Sequence, residues 1–282
     1  IGRRAAFACN TPVVVHTFHG HVFHSYFGGL RTFIYKTIER NLAKKVSAII
    51  AISEKQKEEL AGIHKICPAE KIHVIPLGFD LQRFHDNAEE KRKAFRAKHN
   101  LGDAEIAIGI IGRLVPIKNH SLFIEAIKFV SEKSHRKIKA FIIGDGDERQ
   151  KIEAKIKELQ LETIITLTSW EKNVDKVYPG LDIVCLTSFN EGTPVSLIEA
   201  QAANKPIVST NAGGIENVVI PHKAALLSEI SDPYVFCTNL LKVVSDEALR
   251  KEMSLHGWDY VKERFHYTRL ISETSNLYKS LL

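Results

Sequence analysis

Apolar residues return along this chain in two rhythms. Short runs rich in Val and Ile alternate with longer stretches whose apolar positions recur every three or four residues. The short runs predict buried parallel strands over 12–18, 47–53 and 71–78. A second set follows over 105–112, 139–144, 163–169, 182–188, 205–210 and 224–228. The longer stretches predict helices over 30–45, 54–66, 119–134, 148–160, 172–179, 194–203, 214–220 and 232–245. In the first helix the expected buried stripe is Phe33, Ile34, Thr37, Ile38 and Leu42.

Strand and helix in strict alternation imply an α/β chain, with parallel sheets wrapped by helices. The six strands of the second set suffice for a complete Rossmann-like domain. The first set offers three, so the first domain reads as incomplete. The expected division is 1–100 for the partial first domain and its charged linker, 101–262 for the second domain, and 263–282 for a C-terminal helix crossing back to the first. The chain has no initiator Met and opens close to a strand, so its true N-terminus is expected to be missing.

Composition narrows the class. With 44% hydrophobic and 26% charged residues in 282, the chain reads as a soluble globular protein long enough for two cores. No apolar run reaches the ~18 residues of a membrane span, and Asn10 and Pro12 break up the apolar start that a signal peptide would need. Cys9, Cys67, Cys185 and Cys237 show no CxxC spacing, so reduced thiols in a cytoplasmic setting are expected. The formal charge of +6 is uneven. Residues 1–100 hold 17 Lys and Arg against 9 Asp and Glu, and the remainder 22 against 24. The basic half would suit an anionic membrane surface or acceptor, or would simply be a solvated face. No RNA-binding aromatic motif accompanies the charged stretch KRKAFRAK, so nucleic acid is not an expected partner.

The most informative segment is EGTPVSLIEA, from Glu191 to Ala200. It follows the apolar strand DIVCLTS, and it puts two carboxylates, Glu191 and Glu199, around a helix start. Thr193 is expected to cap that helix and Pro194 to take its first position. The amides of Val195 and Ser196 would then be unpaired donors, suited to an anion. Glu199 would lie roughly 8 Å further along the helix, at ~1.5 Å per residue. One acid on each side of an anion cradle matches a sugar nucleotide, with its hydroxylated sugar, pyrophosphate and ribose diol.

A second segment, GRLVPIKN, places Gly112, Arg113 and Lys118 in the loop after the first strand of the second domain, where open α/β sheets bind ligands. A guanidinium fork and a compact ammonium both suit pyrophosphate. In GDGDERQ, Asp145 and Asp147 would repel phosphate, so that loop reads as a strand-to-helix turn. The glycines of NAGG, from Asn211 to Gly214, could admit a ligand to the backbone or form a plain turn. His16, His19, His21 and His24 crowd together, yet no Asp or Glu lies near to complete a metal site. No metal is therefore expected. His19 would end a strand as a hydrogen-bonding group facing the interdomain cleft, or the cluster would sit in a surface loop.

Together these segments resemble the retaining glycosyltransferases of GT-B fold, in particular the family 4 group that uses nucleotide sugars. EGTPVSLIEAQAANKPIVSTNAGGIENVV resembles the family's E-x7-E segment, IGRLVPIKNH its phosphate-binding loop, and VHTFHGH the first-domain strand ending in a His. IAISEKQKEEL and KIHVIPLGFDLQRF resemble the strand–helix and linker regions, and ERFHYTRLISETSNLYKSLL the returning C-terminal helix. Thr193-Pro194 stands where the family often has an aromatic-Gly pair. The family's first strand and Gly-rich loop have no counterpart, so a chain lacking them is expected to bind nucleotide and could fail to turn over.

The resemblance implies a donor site in which Arg113 and Lys118 bind pyrophosphate and Glu199 holds the ribose hydroxyls. Glu191 would contact the sugar, amides at Thr193, Val195 and Ser196 the distal phosphate or the sugar, and His19 the region of the anomeric carbon. It also implies transfer with retention, by same-face attack, without a metal or other cofactor. The expected donor is a UDP-sugar, and the acceptor a saccharide or a lipid-linked sugar. Polysaccharide or glycolipid assembly at the inner membrane face is the expected setting. The competing readings are a non-catalytic nucleotide-binding protein of the same fold, a nucleotide-sugar epimerase of that fold, and a metal-dependent hydrolase built on the His cluster.

Overall fold

The computed structural model describes residues 1–19 and 29–282. It divides the chain into two compact units, one made of Ile1–Phe79 with Arg264–Leu282, the other of Asp80–Glu263.

The first unit carries a three-stranded parallel sheet in the order β1 (Val15–Phe18), β2 (Ala48–Ala51), β3 (Ile72–Val74). Successive residues of a strand face opposite ways, and β2 uses both faces. Ile49 and Ala51 join a core with Ala43, Val46 and Leu60, while Ala48 and Ile50 join Ile75 and Leu277 of the helix Tyr267–Ser280. That C-terminal segment is tied down by a parallel bridge between Phe79 and His266 and by Arg269, which donates to the carbonyls of Pro76 and Leu77.

The second unit is a six-stranded sheet, every pair parallel. Its strands are β4 (Ile106–Ile111), β5 (Ile138–Ile143), β6 (Ile165–Leu167), β7 (Ile183–Leu186), β8 (Ile207–Thr210) and β9 (Ala225–Ser228), and they lie in the order β6-β5-β4-β7-β8-β9. All six residues of β4 are buried, as expected for a central strand covered on both faces. From β4 the chain winds outward to β5 and β6, then returns to β7 on the other side. The crevice at the carboxyl ends of β4 and β7 is thus the topological switch point, where sheets of this kind take their ligands.

Several elements differ from the sequence-based expectation. Residues 172–179 form two 3-10 turns, Val174–Lys176 and Tyr178–Gly180, because Pro179 and Gly180 interrupt any longer helix. The expected helix 214–220 is one turn, Ile215–Asn217. The helix from Glu54 passes into a π-helical turn, Glu59–Ile63. A helix at Gly2–Ala8 had no sequence signal strong enough to mark it. In the helix Gly29–Lys45 the expected buried stripe is only partly buried: Phe33 and Ile34 are exposed.

Candidate functional site

Two of the second unit's candidate residues, Lys118 and Glu191, meet at the switch point. Beyond β4, Gly112 and an exposed Arg113 lead into the turn Pro116–Lys118. Asn119 then adopts a left-handed conformation and the helix His120–Lys133 begins. Lys118 is therefore held between a tight turn and a helix start. Its Nζ meets Glu191 Oε1 at 2.5 Å, and neither side chain is more than 19% exposed. Glu191 Oε1 also accepts from Ser188 Oγ at 2.6 Å.

The two loops are stitched together by the residues that follow β7. Thr187 Oγ1 donates to the Lys118 carbonyl at 2.9 Å, and the Phe189 amide to the Ile117 carbonyl at 2.9 Å. Ile117 and Phe189 are both exposed, so the pair of loops presents an apolar rim beside its charges. The Arg113 carbonyl accepts from the Val115 amide, while its exposed side chain makes no hydrogen bond or ion pair among the described residues and is free to meet an anion.

The helix Val195–Ala202 starts one residue later than expected. Pro194 has ψ of 93°, so it is the cap and not the first helical residue, and no side chain caps the helix. Thr193 lies outside it, which corrects its expected capping role. The amides of Val195 and Ser196 remain the first of the helix, where no preceding turn can pair them. One turn on, Glu199 Oε2 accepts from Tyr178 Oη at 2.9 Å, and the same hydroxyl reaches the Ser196 carbonyl at 3.1 Å. Burial pushes the Glu199 carboxyl above its ordinary value, while the Tyr178 hydrogen bond and the Arg83 charge pull it back. Tyr178 is wholly buried; burial first, then the neighbouring Glu199, drives its own pKa upward.

The glycines of NAGG turn out to serve the protein's own backbone. The Gly214 amide donates to the Glu191 carbonyl at 2.8 Å. A Cβ on Gly213 would stand 2.1 Å from the Glu191 oxygen, and one on Gly214 would stand 1.9 Å from the Gly192 oxygen. Both positions must lack a side chain for the Glu191 loop to lie where it does. The GDGDERQ loop packs in a similar way: a Cβ on Gly144 would meet the Gly112 oxygen at 1.9 Å.

His19 belongs to the other unit, exposed one residue beyond β1. His16, on β1, stacks edge-on against Phe18 and is pushed below its ordinary pKa, first by burial and then by Arg3. His21 and His24 lie outside the described residues. Among the described residues, no three His, Cys, Asp or Glu stand together as a metal-ligand set. Sequence reasoning passed over Thr187, Ser188 and Tyr178. The two hydroxyls at the end of an otherwise apolar strand were a signal; Tyr178 offered none.

The model of the family described as glycosyl transferases group 1 matches residues 91–257, and that of glycosyltransferase family 4 matches residues 2–83. The chain is 28% identical to the UDP-Gal:alpha-D-GlcNAc-diphosphoundecaprenol alpha-1,3-galactosyltransferase of Escherichia coli, over 99% of this chain and 72% of the relative. It is 24% identical to the capsular polysaccharide biosynthesis glycosyltransferase CapM of Staphylococcus aureus, over 100% of this chain and 74% of the relative. Among solved structures, Anabaena Alr3699/HepE in complex with UDP superposes with a TM-score of 0.85 at 20% identity, covering 99% of this chain and 75% of that one. WaaG, a glycosyltransferase involved in lipopolysaccharide biosynthesis, superposes at 0.79 and 17%, covering 96% of this chain and 79% of that one.

Proposed function

The chain belongs to the glycosyl transferases group 1 family and has its GT-B fold, and from that premise we propose that it moves a sugar from a UDP-sugar to a saccharide or lipid-linked acceptor, with retention. The observation that carries the site is the meeting of Lys118 and Glu191 at the carboxyl ends of β4 and β7, with Glu199 on the helix that follows.

In this reading Arg113, Lys118 and the first amides of the helix Val195–Ala202 stabilise the departing diphosphate. Each charge-assisted bond contributes ~1.5–3 kcal/mol. Contacts that strengthen as charge collects on the leaving phosphate lower the barrier itself. Glu199 holds the ribose hydroxyls and Glu191 the hydroxyls of the sugar. Gly112 keeps the first loop close to the ligand. Thr193 and Pro194 line the approach to the helix start. His19 is assigned to the donor sugar by the family resemblance alone. The acceptor hydroxyl attacks from the face the diphosphate leaves, and the leaving phosphate oxygen takes its proton.

The E. coli and S. aureus relatives, by their names, act on a diphosphoundecaprenol-linked sugar and in capsule synthesis, which supports a role in cell-surface polysaccharide or glycolipid assembly. No helix among the described residues is long and apolar enough to cross a membrane. Peripheral attachment at the inner face, in the cytoplasm, fits the helix Gly29–Lys45, which exposes Phe33, Ile34 and Tyr35 together with Arg31, Lys44 and Lys45. The test is sugar transfer from a panel of nucleotide sugars to a lipid-linked saccharide. Lys118→Ala and Glu199→Ala should abolish most of it, and unaltered transfer in both would reject the site.

A further inference from the structure

Thr187 and Ser188 are fully buried hydroxyl residues directly after the apolar strand β7. Each reaches one member of the Lys118–Glu191 pair. Thr187 holds the backbone of Lys118 and Ser188 holds the carboxylate of Glu191. Ser188 is itself anchored, since Thr210 Oγ1 donates to its carbonyl at 2.8 Å. Glu191 Oε1 thus receives two donors, Lys118 Nζ and Ser188 Oγ.

One of those donors is the cation assigned to the diphosphate. As Lys118 turns to phosphate, Glu191 loses an ion pair while its side chain is only 11% exposed. A carboxylate that poor in water needs a remaining hydrogen-bond partner to stay in place. The Ser188 hydroxyl is already there.

We propose that Ser188 is a positioning residue for the donor sugar: it keeps Glu191 in place while Lys118 exchanges that carboxylate for the diphosphate. This rests on the donor-site reading above. It separates two ligands with the same diphosphate. UDP needs Lys118 but has no sugar for Glu191 to hold, whereas a UDP-sugar needs both. With UDP alone, a Glu191 that has lost its Ser188 partner can turn to water in the space the sugar would fill, whereas a UDP-sugar needs it in place. Loss of the Ser188 hydroxyl therefore falls mainly on the sugar half.

Calorimetric titration of the purified protein checks this, using UDP and whichever of UDP-glucose, UDP-galactose and UDP-N-acetylglucosamine the wild type binds most tightly. Ser188→Ala should weaken the UDP-sugar ~10-fold, the scale of one hydrogen bond to a charged group, and leave UDP within about twofold. In a Glu191→Ala background the same substitution should have no further effect, because the residue it acts through is gone. Equal weakening of both ligands, no weakening of either, or an undiminished effect in the Glu191→Ala background would overturn the inference. The donor-site reading fails separately, and visibly, if Lys118→Ala leaves UDP affinity unchanged. A wild type that binds none of these ligands removes both.

Discussion

Lys118 and Glu191, 73 positions apart in the chain, meet at 2.5 Å where β4 and β7 end. A parallel sheet that reverses its winding between those two strands brings their loops together, and the Thr187 hydroxyl fixes the spacing. The pair joins the cation proposed for the diphosphate to the acid proposed for the sugar. Binding a donor is then an exchange in which Lys118 keeps an anionic partner and Glu191 is left with the Ser188 hydroxyl.

Lys118→Ala should lower kcat/KM for the nucleotide sugar by ~10²–10³, as is typical when one donor to a developing anion is removed. Arg113→Ala should act in the same direction. Steady-state transfer kinetics check both, and a change confined to KM would mean that Lys118 binds the donor without favouring the transition state.

Donor affinity should rise with pH across the mildly acidic range. Burial raises the Glu199 carboxyl in the free protein, and a protonated Glu199 accepts from ribose hydroxyls more weakly than the carboxylate does. Nucleotide binding favours the ionised form, so it expels a proton below the raised pKa and tightens as pH climbs through it. Glu199→Gln should flatten the profile. Tyr178→Phe removes a hydrogen bond that favours the carboxylate and should move the rise to higher pH. Calorimetry between about pH 4.5 and 7.5, in buffers of different ionisation enthalpy, reads both the affinity and the proton.

Gly214→Ala should cost roughly 1–3 kcal/mol of stability, the scale of forced overpacking, and weaken donor binding through the displaced Glu191 loop. Gly192→Ala, in that same loop, has open space where its own Cβ would go and should change stability by under about 0.5 kcal/mol. Urea titration of the two variants makes the comparison.

His120 carries a pH dependence of stability. Burial, then the Lys118 charge, lowers its pKa to about 4 from an ordinary 6.5. The unfolded chain takes up the proton first, so stability is full above pH 6.5 and is lost as pH falls from there towards 4. Between pH 7.5 and 5 the wild type should lose ~2 kcal/mol more than a His120→Gln variant does, at 1.36 kcal/mol for each pKa unit. Equal losses in denaturant unfolding would show that His120 is not the group responsible.

Strand positions and their parallel α/β arrangement were legible in the sequence because apolar β-runs alternating with helical stretches mark such a sheet, and polar residues at a strand's carboxyl end marked the loops proposed as the site. Arg113, Lys118, Glu191 and Glu199 were singled out as candidates from those loops and the helix that follows. Side-chain contacts between distant segments were not legible: Tyr178 reaches Glu199 across 21 positions, and only tertiary packing brings them together. Local geometry misled at Thr193, because a good capping residue before a Pro holds no cap when the Pro itself stays extended. It misled again at Phe33 and Ile34, where helical spacing was right and the expected burial was not.

The most direct test is calorimetric titration of UDP into the wild type and into the Arg113→Ala, Lys118→Ala and Glu199→Ala variants. The account expects one site in the wild type, with affinity reduced ~10-fold or more in each variant, since each removes about one charge-assisted hydrogen bond or more. Wild-type affinity in all three would mean that the diphosphate docks elsewhere.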